Sequence, residues 1–304
     1  MSTHSPRGRR SRRVRMLWQI AHQTVSEWIN HNASSRGAAL SFYTLFSIAP
    51  ILVIAMAVAG SIFGPRVAEA HVLAQMRDLL GEAGAAAVQT LLSSAHQSGL
   101  KGIAAALGVI TLLIGATSVF GELQNTLDYI WKSPSKPSVA WWRILRSRIL
   151  SVGLILGVGF LLLVSLVISA ALAALGAWFG SFVVQWGVVL PALYLVLSLA
   201  LTTVLFAMIY KYVPREDIAW GDVWIGGLVT ACLFSVGKLL IGLYLGRSSF
   251  SSAYGAAGSI MVLLLWIYYS AQIFLLGAEF THVFTYTAGS RSRDAGKSMH
   301  NPQP

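Results

Sequence analysis

The stretch Gly258–Tyr286, GSIMVLLLWIYYSAQIFLLGAEFTHVFTY, decides the fold class. A helix of about 20 residues, rising 1.5 Å each, crosses roughly 30 Å of hydrocarbon. This segment exceeds that length, and Glu279 is its single carboxylate. Working outward toward the N-terminus, five more apolar stretches follow the same pattern: Val223–Leu245, Trp186–Tyr210, Ile149–Trp178, Gly102–Phe120 and Ala38–Phe63. The whole chain of 304 residues is 56% hydrophobic and 11% charged. A soluble domain carries about 25% charged residues, so too few charges are present to solvate a globule of this size. The expected fold is all-α, a polytopic membrane bundle of six transmembrane helices with interfacial amphipathic helices.

The basic residues orient those spans. Six arginines (Arg7, Arg9, Arg10, Arg12, Arg13, Arg15) crowd the N-terminal arm, and five basic residues lie between spans two and three. With the N-terminus inside, the cytoplasmic segments hold 17 basic residues and the outer loops 4, which places both termini in the cytoplasm. The expected layout is a basic disordered arm over 1–13, a membrane domain over 14–287 with an extracytoplasmic helical segment at 64–100, and a disordered cytoplasmic tail over 288–304. No signal peptide is expected, because the Arg-rich start lacks an apolar core before a small-residue cleavage site. Arginine beside membrane spans points to anionic lipid headgroups as partners rather than nucleic acid, despite the net charge of +11. Val14, Leu17, Trp18, Ala21, Val25, Trp28 and Ile29 recur at helical spacing, as a helix lying on the inner membrane surface would require.

Small residues four apart predict close helix packing at Gly153 and Gly157, Gly176 and Gly180, and Gly242 and Gly246. Pro50 removes a hydrogen bond from the middle of span one and predicts a kink there. The lone cysteine, Cys232, excludes an intramolecular disulfide framework and a cysteine-based metal site.

Charges inside a membrane are functional candidates by default. Lys238 lies roughly 22 Å by helical rise from the cytoplasmic start of its span, and Glu279 roughly 10 Å from the cytoplasmic end of its own. That difference in depth argues against a direct salt bridge between them. Glu279 is close enough to the inner surface to meet Arg36, Lys211 or a water-filled cavity. Glu122, Gln124, Asn125 and Asp128 end span two, and with Arg36 and Glu279 they form a candidate polar vestibule at the cytoplasmic end. The alternative is a solvated helix end. Glu279 and His282 make one Glu-x-x-His pair, whereas a di-iron bundle needs two copies and two further glutamates. No metal, cofactor or enzymatic activity is expected, since no hydrolase, metalloprotease or phosphate-loop motif is present.

Three passages carry a family resemblance: RGAALSFYTLFSIAP from Arg36 to Pro50, GATSVFGELQNTLDYIW from Gly115 to Trp131, and Tyr254-Gly-Ala-Ala-Gly through Leu265-Trp-Ile-Tyr to Gly277-Ala-Glu279. Together they resemble the YihY/BrkB family of bacterial inner-membrane proteins, from about residue 20 to 287. Motif positions carried over are Arg36, Tyr43, Ser47, Pro50, Tyr254, Gly255, Trp266, Gly277 and Glu279. The resemblance implies a multi-pass protein of the bacterial inner membrane. It also brings an old ribonuclease label, which the residues do not support, and a connection with lipid movement across the membrane. The leading expectation is transport or handling of a lipid or other amphipathic cargo. A non-transporting scaffold for an envelope protein partner is the alternative. Cargo, energy source and oligomeric state are not written in the sequence.

Overall fold

The computed structural model describes residues 6–64, 118–133, 189–247 and 256–292, with scattered positions between 69 and 89. Among the described residues every regular element is a helix. These are α1 (Pro6–Asn30), α2 (Ala33–Phe63), α3 (118–130), α4 (Val189–Tyr212), α5 (Trp220–Arg247) and α6 (Ala256–Thr287). The positions described between 69 and 89 are helical too. Three described stretches are long and apolar enough to cross a membrane: Leu195–Tyr212, Trp220–Tyr244 and Ile260–Ser292. They correspond to the last three expected spans. The first expected span falls in α2, which continues as a helix through Pro50, although the side chains of residues 48–59 and 61–63 are outside the described set. The expected spans Gly102–Phe120 and Ile149–Trp178 lie almost wholly outside the described residues.

At the N-terminal arm α1 begins at Pro6. Proline is well suited to a helix's first position, and arginine is a good helix former, so the basic arm extends the helix. Further along, α1 buries Ile20 and Thr24 while Leu17, Trp18, Val25 and Ile29 are exposed. The apolar stripe seen in the sequence therefore points away from the protein, as a helix resting on a bilayer requires.

The chain divides into two compact units, the first made of residues 1–33, 127–232 and 275–304, the second of 34–126 and 233–274. In the first unit Leu127, Ile130, Trp131, Ile218, Val223 and Leu275 form a fully enclosed core. Hydroxyl groups buried among these apolar helices bond to carbonyls one turn back: Thr203 to Leu199, Thr230 to Gly226 and Thr281 to Gly277, each at 2.7 Å. Such back-bonding satisfies polar groups where no water reaches them. The antiparallel contact of α5 with α6 here is a reciprocal one. A Cβ on Gly226 would collide with the Thr281 side chain, and a Cβ on Gly277 with Thr230 and the Tyr210 hydroxyl. Glycine is thus required at both points for the backbones to approach. Among the described residues, Gly242, a predicted packing residue, has no neighbour within 4 Å of where its side chain would be.

The second unit is built from apolar packing. Ile241 and Val262 are buried together, with Leu265, Trp266 and Tyr269 packed against them. The Trp266 ring meets Phe234 edge-on at 6.2 Å between centroids. Outward-facing Val236, Leu239, Leu240 and Leu243 on α5, with Ile260 and Met261 on α6, leave an extended apolar surface. An apolar exterior of that extent marks a surface in contact with lipid.

Candidate functional site

A buried acid and a histidine organise the first unit. At the end of α1 the His31 amide bonds the Glu27 carbonyl at 2.8 Å, and the Asn32 amide bonds the Ile29 carbonyl at 3.0 Å. Asn32 takes the left-handed conformation (φ 51°), which reverses the chain into α2 and which asparagine tolerates better than most residues. That turn aims His31 inward. Its Nδ1 lies 2.7 Å from Oε1 of Glu279, whose side chain is 0% exposed. Its Nε2 lies 3.4 Å from Oε2 of Glu27, one helical turn earlier and partly open to solvent. The imidazole therefore stands between an inner and an outer carboxylate. One proton lies between Nδ1 and Oε1, whichever of the two groups carries it formally.

Aromatic rings close the sides of this pair. The Tyr129 ring meets His31 edge-on at 5.1 Å. One turn along α6 from Glu279, His282 contacts Trp131 at 5.2 Å and Tyr286 at 4.9 Å. Oε2 of Glu279, Nδ1 of His282 and Nε1 of Trp131 are buried without a hydrogen-bond partner. Buried polar atoms are almost always paired, and three of the six exceptions among the described residues fall here.

A second set of ionic contacts ties the same ends of the helices together. Asp128 of α3 accepts the Arg215 amide at 2.8 Å and pairs with its guanidinium at 3.2 Å. Lys211 at the end of α4 pairs with Asp217 at 2.5 Å and donates to the Ile218 carbonyl at 2.6 Å. The lysine holds the exposed Asp217 carboxyl below the usual carboxylate range, by hydrogen bonding first and charge second. Asp222, in the first turn of α5, accepts the Ser290 hydroxyl at 2.6 Å and its amide at 3.1 Å. Arg291 joins Glu216 and the Tyr286 hydroxyl. The C-terminal ends of α3, α4 and α6 and the N-terminal end of α5 thus share one polar edge of the unit, as an alternating up-and-down path demands.

The sequence-predicted site residues divide between the units. Asp128 and Glu279 belong to the first and are held by different partners, Arg215 and His31. Arg36, Glu122, Gln124 and Asn125 belong to the second, where Gln124 is buried, Arg36 and Glu122 half-buried and Asn125 exposed. Lys238 is half-buried, also in the second unit. Lys211, one of the expected partners of Glu279, is engaged by Asp217 instead. Among the motif residues, Ser47 is buried and donates to the Tyr43 carbonyl at 2.9 Å, while Tyr43 itself is exposed. Tyr254 and Gly255 are outside the described residues. Sequence reasoning missed His31, Glu27, Arg215, Asp222 and Arg291. The four-residue spacing of Glu27 and His31 was a readable signal for the first two, but nothing local linked them to residue 279.

The second unit carries a different feature, an apolar cleft of about 430 Å³ between α2 and α6. Ala38, Ser41, Phe42, Leu264, Leu265 and Tyr268 are among its lining residues. The Ser41 hydroxyl is already committed to the Gly37 carbonyl at 2.6 Å, so the wall offers little to a polar ligand.

The sequence profile described as "Virulence factor BrkB" matches residues 24–302. The chain belongs to the virulence factor BrkB family. A UPF0761 membrane protein of Alkalilimnicola ehrlichii is 28% identical over 283 residues, covering 90% of this chain and 60% of its own length. One from Teredinibacter turnerae is 30% identical, with 90% of this chain and 62% of its own length covered. A third, from Rhodospirillum centenum, is 29% identical across 86% of this chain and 56% of its own length. This BrkB-family chain thus spans about three-fifths of the length of the curated relatives it matches. No solved structure matches it. Membrane protein and family membership are thereby established together.

Proposed function

We propose that this protein handles a lipid or other amphipathic cargo in the bacterial inner membrane, as a six-span bundle with both termini in the cytoplasm. The cleft between α2 and α6 carries the reading. Its volume of about 430 Å³ falls within the roughly 300–1,000 Å³ of small-molecule sites. Its apolar lining suits an acyl chain. Exposed apolar residues on the same helices, Phe46 of α2 and Met261 of α6 among them, give such a chain access from the bilayer. The Arg-rich α1 adds attraction for anionic headgroups at the surface.

Translocation of headgroup-labelled anionic lipid in proteoliposomes tests the function. Leu264→Trp, which fills the cleft, is expected to reduce the rate about tenfold relative to wild type. Wild-type rates equal to those of empty vesicles would end this reading and leave a scaffold for an envelope protein partner as the alternative. For topology, the exposed Cys232 is first replaced by alanine. Single cysteines introduced at Asn30, Ala70 and Ser292 then report sidedness to an impermeant reagent. Labelling of Ala70→Cys alone from outside is the expected result, and labelling of Asn30→Cys would invert the orientation.

A further inference from the structure

We infer that His31 and Glu279 form a proton-binding site inside the membrane domain, reached from the aqueous side through Glu27. The inference concerns proton binding by the protein itself and does not depend on the identity of any cargo. Glu279 is completely buried in a helix that is otherwise among the most apolar in the chain. Its insertion costs several kcal/mol unless the carboxylate is paired or protonated. The partner chosen is histidine, the side chain whose ordinary proton affinity lies nearest neutral pH. A permanently charged lysine or arginine would fix the pair as an ion pair, whereas His31 lets the shared proton move.

The arrangement also supplies a route. Glu27 has a side chain 25% exposed and sits 3.4 Å from His31 Nε2, while Nδ1 on the other edge of the ring faces the buried acid at 2.7 Å. A small rotation of the half-open Glu27 side chain brings the longer separation to hydrogen-bond length. A proton taken up by Glu27 passes to Nε2 as the proton on Nδ1 passes to Oε1 of Glu279. The ring is left as the other neutral tautomer, and a ring flip or the reverse transfer restores it. No oxidant or second substrate is needed, and the net change is one proton moved from the surface to Glu279. Half a turn of the protonated carboxyl about its Cγ–Cδ bond then exchanges the two oxygens and places the proton where Oε2, buried without a hydrogen-bond partner, now lies.

The other titratable groups around the pair are accounted for. The α3 end contributes Tyr129 against the imidazole face and, after the helix, exposed Lys132. From α6 come His282, enclosed by Trp131 and Tyr286, and beyond the helix Arg291, which is engaged by Glu216. None of these separates Glu27 from His31 or His31 from Glu279.

The test is infrared titration of the full chain in nanodiscs, over about pH 4 to 9 to cover the carboxylate and imidazole ranges. Wild type is expected to show a buried carboxylic-acid stretch that grows as the pH falls and is absent from Glu279→Gln. His31→Gln is expected to shift the midpoint of that band by about one unit, a tenfold change in proton affinity. Glu27→Gln is expected to keep the band and slow proton uptake after a pH jump at least tenfold, read with a soluble dye. If Glu279→Gln does not fold, the midpoint shift in His31→Gln decides the question. A wild-type protein without a titrating band, a midpoint unmoved by His31→Gln, or uptake undisturbed by Glu27→Gln would each overturn the proposal.

Discussion

The two units meet an apolar solvent with different proportions of buried polar groups. The first encloses polar groups: Glu279, His282, Thr230, Thr281 and Asp222 are all buried there, each close to a helix–helix contact or an ion pair. The second encloses fewer, Ser41, Ser47, Gln124 and Thr126, and it combines buried Leu263, Ile267 and Phe274 with an apolar cleft. The difference teaches that the densest polar burial and the apolar cleft lie in different units. Where lipid tails are as apolar as the side chains, polar contacts and close backbone approach hold helices together. The second unit also brings Gly37 against Gln272 and Gly237 against Ile273, but it buries fewer polar groups and carries the apolar cleft.

Breaking the first unit's buried pair should have the largest effect. Glu279→Ala leaves His31 without its inner partner, and removing one member of a buried pair costs about 3–5 kcal/mol. Unfolding of the detergent-solubilised protein measures it. A loss below about 1 kcal/mol would mean that the pair contributes no more than a surface contact. Adding His31→Ala to that variant should cost less than the two single changes summed, because the partners are in direct contact.

Gly277→Val comes next, at about 3 kcal/mol, because the new side chain must displace Thr230 and the Tyr210 hydroxyl. Asp222→Ala should follow at about 1–3 kcal/mol, since a charged acceptor loses the Ser290 hydroxyl and amide. In the second unit Leu264→Trp should alter stability by no more than about 0.5 kcal/mol while still slowing lipid movement. A large destabilisation would erase the contrast between the units. Smallest of all is Asp217→Asn, with no measurable change in Tm. Lys211 depresses the Asp217 pKa, so whatever stabilisation the pair gives is present above the unfolded carboxylate pKa. It is lost as the pH falls through the lower folded value, and thermal melts at neutral and acid pH check the sign.

The helices were legible because length and hydropathy are properties of contiguous residues. The last three expected spans match observed helices to within several residues, and the orientation of the α1 apolar stripe was visible in its spacing. Glu279 was recognisable by the cost of placing a carboxylate there. Its partner was not, because His31 lies 248 positions away and is aimed by the unusual backbone of Asn32. Asp128 was singled out with the vestibule residues, yet its pairing with Arg215 depends on the loop after α4, whose path no periodicity encodes. Glycine spacing was silent at Gly226, where the deciding neighbour is a threonine on another helix. Sequence patterns identify which residues are costly to bury; the partner that makes the burial tolerable is a tertiary fact.

The crossed glycine–threonine contact of α5 and α6 bears on how such a chain can diverge. A larger residue at 226 becomes admissible only after position 281 has been shortened, and the same bargain links 277 with 230. Enlarging the glycine first produces a clash, so in viable descendants the threonine should shorten before or together with any change at its glycine. The contact positions of the two helices would then change together, while cleft-lining positions such as Ala38 and Leu264, which take no part in that contact, are free to vary one at a time.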